Sequence, residues 1–215
     1  MMSLANIANN RPQGRPPKED SADIRQQIME SAVDLFANQG YAATSVREIA
    51  DRVGVNPAMI HYYFGSKEAL LHAALEQALE PLAEAVAAMQ KKQEAPVQNI
   101  VSLILGAFAR KPNLPILMAR EVLLPGGAVQ AHFIEHFAPR LGGALPQLLA
   151  GEQHEGRLRD DLDPRLAAQL LFGLCVFPFI SRSLAEPVLG ISYDEKGIRK
   201  IEQNINELLQ RGIYP

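Results

Sequence analysis

The chain has 215 residues, 47% of them hydrophobic, enough for one large or two small domains with a substantial core, which excludes a disordered chain. Its single cysteine, Cys175, excludes an intrachain disulfide; no apolar N-terminal run suggests secretion, and the longest apolar run, Leu170 to Ile180, falls short of the about 20 residues that span a bilayer. A net charge of −3 does not advertise nucleic acid, but its distribution does more: no acidic residue precedes Glu19, so Met1 to Lys18 carries +3 unopposed.

Met1 to Lys18 has neither a helical nor a strand period and reads as a disordered basic arm. Arg11 and Arg15, set in Pro- and Gly-rich extended backbone, suit a narrow, electronegative minor groove. A first helix opens at Asp20 or Ser21, carries Ile24, Ile28, Ala32, Leu35 and Phe36 on one stripe, and ends at Gly40. Ser45 and Glu48 make a capping box for a second helix, whose apolar face is Val46, Ile49, Ala50 and Val53. Gly54 ends it. Asn56 is a good N-cap and Pro57 a good first residue for a third helix of about two turns, ending at Phe64 before Gly65.

A helix, a glycine turn and a second short helix make a helix-turn-helix, the DNA-reading unit. In the third helix Ile60 and Phe64 can face inward, which leaves Ala58, Met59, His61 and Tyr62 on the other faces. Small and apolar groups near a helix N-terminus suit thymine methyls, and tyrosine hydroxyls suit phosphate oxygens.

The stretch from Thr44 to Leu70 resembles the DNA-binding domain of the TetR family of transcriptional regulators. The resemblance rests on the helix from Ser45, the Gly54-Val55 turn, the string Ile60-His61-Tyr62-Tyr63-Phe64 and the following Ser66-Lys67-Glu68-Ala69-Leu70. It covers roughly residues 22 to 72, and His61 stands where the family usually has Tyr. With the arm's Arg11 and Arg15, the candidate contacts to double-stranded DNA are Thr44, Ser45, Arg47, Asn56, Pro57, Ala58, Met59, His61, Tyr62, Tyr63 and Lys67. The resemblance also implies a homodimer held by a four-helix bundle of the last two long helices.

From Ser66 a long helix runs towards Gln93, with Pro81 expected to kink it. A further helix carries Ile100, Val101, Ile104, Leu105 and Phe108; another spans Leu114 to Leu124 and stops at Pro125-Gly126-Gly127. Val129 to about Gln153 is helical but interrupted by Pro139, Gly142-Gly143 and Pro146. Asp163-Pro164 opens a helix to about Leu184, and Tyr193 to Gln210 forms the last. No strand alternation is visible. The expected fold is all-α, with about nine or ten helices: an arm at 1–18, a three-helix, homeodomain-like DNA-binding domain at 19–70, and a helical ligand-binding and dimerisation domain at 71–215.

Leu170 to Ile180 is apolar all round, which predicts burial on every side, and Ile198, Ile201, Ile205 and Leu208 make one stripe on the last helix. The candidate dimer interface is therefore Leu170, Gly173, Phe177, Ile198, Ile201, Ile205 and Leu208. Helices interrupted by Pro and Gly leave space between them, so the candidate ligand residues are Phe108, Met118, Arg120, His132, Phe133, His136, Phe137, Phe172, Cys175 and Phe179. His132-Phe133-Ile134-Glu135-His136 also spells H-x-x-E-H, which suggests a metal-responsive regulator or, remotely, a zinc hydrolase. No cofactor is expected. The reading is a cytoplasmic, ligand-responsive repressor, homodimeric on a palindromic operator and released by a small hydrophobic or aromatic effector.

Overall fold

The computed structural model describes residues 18–92, 96–141 and 143–212; the arm, with Arg11 and Arg15, lies outside the described residues. Every regular element among the described residues is helical, as the sequence predicts. Helix α1 spans Lys18–Gln39, α2 Val46–Val53, α3 Pro57–Phe64 and α4 Lys67–Lys92. They are followed by α5 (Val97–Arg110) and α6 (Leu114–Met118), which continues as π-helical turns over Ala119–Leu123. Then come α7 (Gln130–His136), α8 (Ala138–Leu141), α9 (Ala144–His154), α10 (Pro164–Ile180), α11 (Arg182–Leu189) and α12 (Glu195–Gly212).

The first three helices close on each other because each brings its stripe to one point. Ile28, Ala32 and Phe36 of α1, Ile49 and Ala50 of α2, Ile60 of α3 and Leu70 and Leu71 of α4 are all fully buried. Each large side chain among them stabilises the fold by roughly 1.5–3 kcal/mol. Gly54 ends α2 at φ +76°, where its N–H donates to Asp51 and the N–H of Val55 to Ala50, so the turn caps the helix it terminates.

The same apolar cluster runs without interruption into the larger half. Helix α4 belongs to both: its first turns complete the three-helix core, and Leu79, Leu82, Ala83 and Val86 face the later helices. Its helical backbone continues through Pro81, which is exposed. Helices α5 and α6 meet at 98° across Lys111-Pro112-Asn113. Helix α10 packs on α9 and α5, and α12 packs on α5.

Three expectations need correction. The helix from Pro164 does not reach Leu184: it breaks at Ser181, whose N–H and hydroxyl both donate to the Phe177 carbonyl at 2.9 Å, and α11 leaves at 71°. Leu170 to Ile180 is not buried on every side within one chain. Leu171, Cys175, Val176 and Phe179 turn inward, whereas Leu170 and Phe177 are 70% and 66% exposed and Gly173 is open to solvent. In α12, Ile205 packs into the chain's own core together with Leu209, so Ile205 is not free for an interface, while Ile198 and Ile201 are partly buried against that core and Leu208 points out. No single described helix is long and apolar enough to cross a membrane.

Candidate DNA-reading helix and effector cavity

The reading helix is set by its two ends. Asn56 Oδ1 accepts from the N–H of Ala58 at 2.9 Å and Pro57 follows as the first helical residue. Ile60 anchors the buried side. Ala58, His61 and Tyr62 are exposed, Tyr62 at 75%, and Pro57, Met59 and Tyr63 are half-buried. The Tyr62 and Tyr63 rings meet edge-on at 5.3 Å, and Arg25 lies 5.1 Å above the Phe64 ring, which stiffens the aromatic end. The His61 ring turns back to the Gly65 carbonyl, 3.1 Å from Nδ1.

Helix α2 is capped reciprocally. Ser45 Oγ accepts from the N–H of Glu48 and Glu48 Oε2 accepts from the N–H of Ser45, both at 3.1 Å. That backbone bond holds the Glu48 carboxyl below its ordinary range. Arg47, in the first turn after the cap, is exposed and lies 3.8 Å from the exposed Asp51.

Two expected DNA contacts sit elsewhere. Thr44 is buried, and its hydroxyl donates to the Gly40 carbonyl at 2.9 Å, closing the loop before α2. Lys67 Nζ donates to the carbonyls of Tyr41 and Thr44 at 2.8 and 2.9 Å and lies 4.2 Å over the Tyr41 ring. The ammonium is a clasp on the α1–α2 loop, drawn in by orphan carbonyls and an aromatic face.

Residues 28–74 match the family model for bacterial regulatory proteins of the tetR family. The HTH-type transcriptional repressor Rv3405c of Mycobacterium tuberculosis is 30% identical over 199 residues, 90% of either chain. The chain belongs to the TetR family. It is thus a DNA-binding transcriptional regulator, and α2-turn-α3 is its reader. The HTH-type transcriptional repressor NicS of Pseudomonas putida is 27% identical over 80% of this chain and 83% of its own. Among solved structures, the regulator FadR of Bacillus subtilis in complex with stearoyl-CoA shares the fold, with a TM-score of 0.67, 23% identity and coverage of 88% of this chain and 99% of that one.

The regulator's larger half holds a partly open cavity of about 310 Å³ lined by α4 to α10. Its walls are aliphatic: Leu82 and Val86, Ile100, Leu103 and Ile104, Leu141 and Leu145, with Met118, Leu123, Phe133, Ala138, Pro146, Ala168 and Phe172. Polar groups come only from Arg165 and Gln169, both exposed at its edge. The Arg165 guanidinium bonds both oxygens of Asp163 at 3.2 and 2.9 Å, which drives the Asp163 carboxyl down to about 2.

Of the candidate ligand residues, Met118, Phe133 and Phe172 line this cavity. Phe108 and Phe179 pack edge-on at 5.8 Å in the core, beside fully buried Cys175, whose thiol burial pushes up to about 12. Phe137 is buried next to Phe133, outside the lining. Arg120 faces α1. On α7, His132 stacks on His72 of α4 at a centroid distance of 3.9 Å and the exposed His136 stacks on His132 at 4.4 Å, both outside the cavity lining. Their rings are face to face, so their nitrogens do not converge; among the described residues no group of three or more His, Cys, Asp or Glu is placed to share a metal ion. The walls missed in the sequence are the aliphatic ones of α4, α5 and α9. Their signal was the breadth of the apolar face on α5, where Leu103 lies off the main stripe.

Proposed function

We propose that this TetR-family regulator is a cytoplasmic repressor that binds a palindromic operator as a homodimer and is released when a small hydrophobic or aromatic effector enters the cavity. The observation that carries the reading is the almost wholly apolar, partly open space of about 310 Å³ against the helices that hold the reading domain. FadR of Bacillus subtilis, which shares the fold, is described in complex with stearoyl-CoA, whose acyl chain is apolar.

The dimer reading rests on α10. Leu166, Leu170, Leu174 and Phe177 are exposed together with Gly173, and Leu208 of α12 is 66% exposed as well. A two-fold copy over this face would set two reading helices into successive major grooves, about 34 Å apart, and a ligand that prefers another spacing weakens DNA binding by linkage. The arm's Arg11 and Arg15 would add minor-groove contacts, and Arg47, Tyr62 and Tyr63 phosphate or base contacts.

The test begins with a duplex enriched from a random pool by the protein itself. The enriched sequence should be a palindrome with half-sites about one turn apart. Dodecanoic acid or alkyl-aromatic compounds should raise the melting temperature and release that duplex. Compounds that stabilise the protein and leave DNA affinity unchanged would sink the effector switch.

A further inference from the structure

We propose that Arg120 and Glu121 form a latch that transmits occupancy of the cavity to the reading domain. The inference rests on the effector reading above and names its route.

The placement is the first observation. Met118 and Leu123 line the cavity, and Arg120 and Glu121 lie between them on the π-helical turns, directed at α1 and the α1–α2 loop. One short segment therefore has a ligand-facing side and a reader-facing side. A π-helical turn is rare, occurs mostly as a single-turn bulge within an α-helix, and is frequent at functional sites.

The contacts are the second. Arg120 Nη1 donates to the carbonyls of Ala37 and Asn38 at 3.1 and 3.4 Å, and Nη2 donates to Gln39 at 3.4 Å. These are the last carbonyls of α1, which lack helical partners and carry the negative end of the helix dipole. Glu121 is only 8% exposed, and its two oxygens accept from the N–H groups of Tyr41 and Ala128, each at 3.2 Å. A buried carboxylate is tolerated only when its donors are held in place, so its position and that of the Tyr41 loop are set together.

The backbone is shaped for both contacts. Gly40 sits at φ +91°, and a Cβ there would lie 2.6 Å from Arg120 Nη2. A Cβ at Gly127 would lie 2.3 Å from the Glu121 carbonyl oxygen. The loop so gripped is the one clasped by Lys67 at the head of α4, and it ends at Ser45, the cap of α2. A ligand that displaces Met118 or Leu123 moves the latch, and the latch carries the end of α1 and the start of α2 with it. Packed interfaces respond to such shifts by switching between arrangements and not by yielding continuously.

The experiment uses the full chain, the enriched duplex, and Ala168→Phe as a built-in ligand: Ala168 lines the cavity, and the added ring occupies it. Ala168→Phe should weaken duplex binding tenfold or more in the native background, and less than twofold when combined with Arg120→Ala or with the conservative Glu121→Gln. Cooperative melting is checked for each variant; where Ala168→Phe does not melt cooperatively, dodecanoic acid added to the unaltered cavity is the probe for the same comparison. A merely structural role would lower stability without removing the non-additivity. An undiminished tenfold loss in the latch variants would place the route elsewhere and overturn the proposal. No loss of DNA affinity in the native background from either probe would instead overturn the effector reading, and the latch with it.

Discussion

His72 is the residue whose protonation the fold resists most clearly. Its ring stacks on His132 with an interplanar angle of 6°, and its Nε2 is buried with no partner among the described residues. Burial lowers its pKa from the ordinary value of about 6.5, the neighbouring His132 and His136 lower it further, and Glu68 and Glu76 pull the other way. The unfolded chain therefore takes up this proton as pH falls through about 6.5, and the folded chain only at lower pH. The stability it contributes is present above that value and is lost as the medium becomes more acid. His72→Leu should flatten the fall in melting temperature between about pH 7 and 5; an equally steep fall would assign the acid sensitivity to other groups. Lys67 makes a second residue-scale prediction. Lys67→Ala removes two charge-assisted hydrogen bonds and should cost about 2 kcal/mol or more of stability, visible in denaturant melts. A drop of about one unit in the salt slope of DNA binding would show that the same ammonium also meets a phosphate.

At the scale of elements, what could be read beforehand was what is local. Ser45 with Glu48, Asn56 with Pro57, and the glycines at 54 and 65 each place a cap within four residues of its partner, and the reading helix follows from them. Arg120 was misassigned to the cavity because its partners lie more than 80 residues away, and nothing near it in sequence announces them. On α12 the 3-4-3 spacing ends on Leu208, which is exposed, whereas the row buried in the chain's own core ends on Leu209. Aromatic residues suggest a cavity in the sequence, but half of the lining side chains are Leu, Ile and Val, which look like ordinary core until helices fail to meet. The α10 face yields a clean prediction from its correction. A Cβ at Gly173 would meet nothing within 4 Å, so Gly173→Arg should fold normally and sediment as a monomer without operator binding. Ile205→Glu should instead unfold the chain, since Ile205 is 5% exposed in its own core and an unpaired carboxylate there costs several kcal/mol. A Gly173→Arg protein that remains dimeric would move the interface off α10.

For the whole molecule, the two halves share one apolar core and one helix, α4, which begins at the Lys67 clasp and whose Leu82 and Val86 line the cavity. Besides that helix they are joined by polar ties of a specific kind: Asn113 Nδ2 donates to Asp34 at 2.8 Å, Asp34 in turn accepts from Arg52 of α2, and the latch holds the C-terminal end of α1. Loosening them should leave each half folded while altering how they are set, so stability and DNA affinity are separable readouts here.

The walls of the cavity also determine what kind of chemical information the regulator can collect. With Arg165 engaged by Asp163 and Gln169 at the edge, nothing inside distinguishes one functional group from another. What the walls can measure is length. Along a homologous series of alkyl carboxylates, each added carbon should bring about 0.8 kcal/mol, roughly a fourfold gain in affinity, until the space of about 310 Å³ is filled, and the next carbon should reverse the trend. Calorimetric titration of such a series would locate the reversal. On the proposed effector reading, a molecule built this way would gauge carbon count, and the genes it governs would answer to the size of a compound more than to its identity.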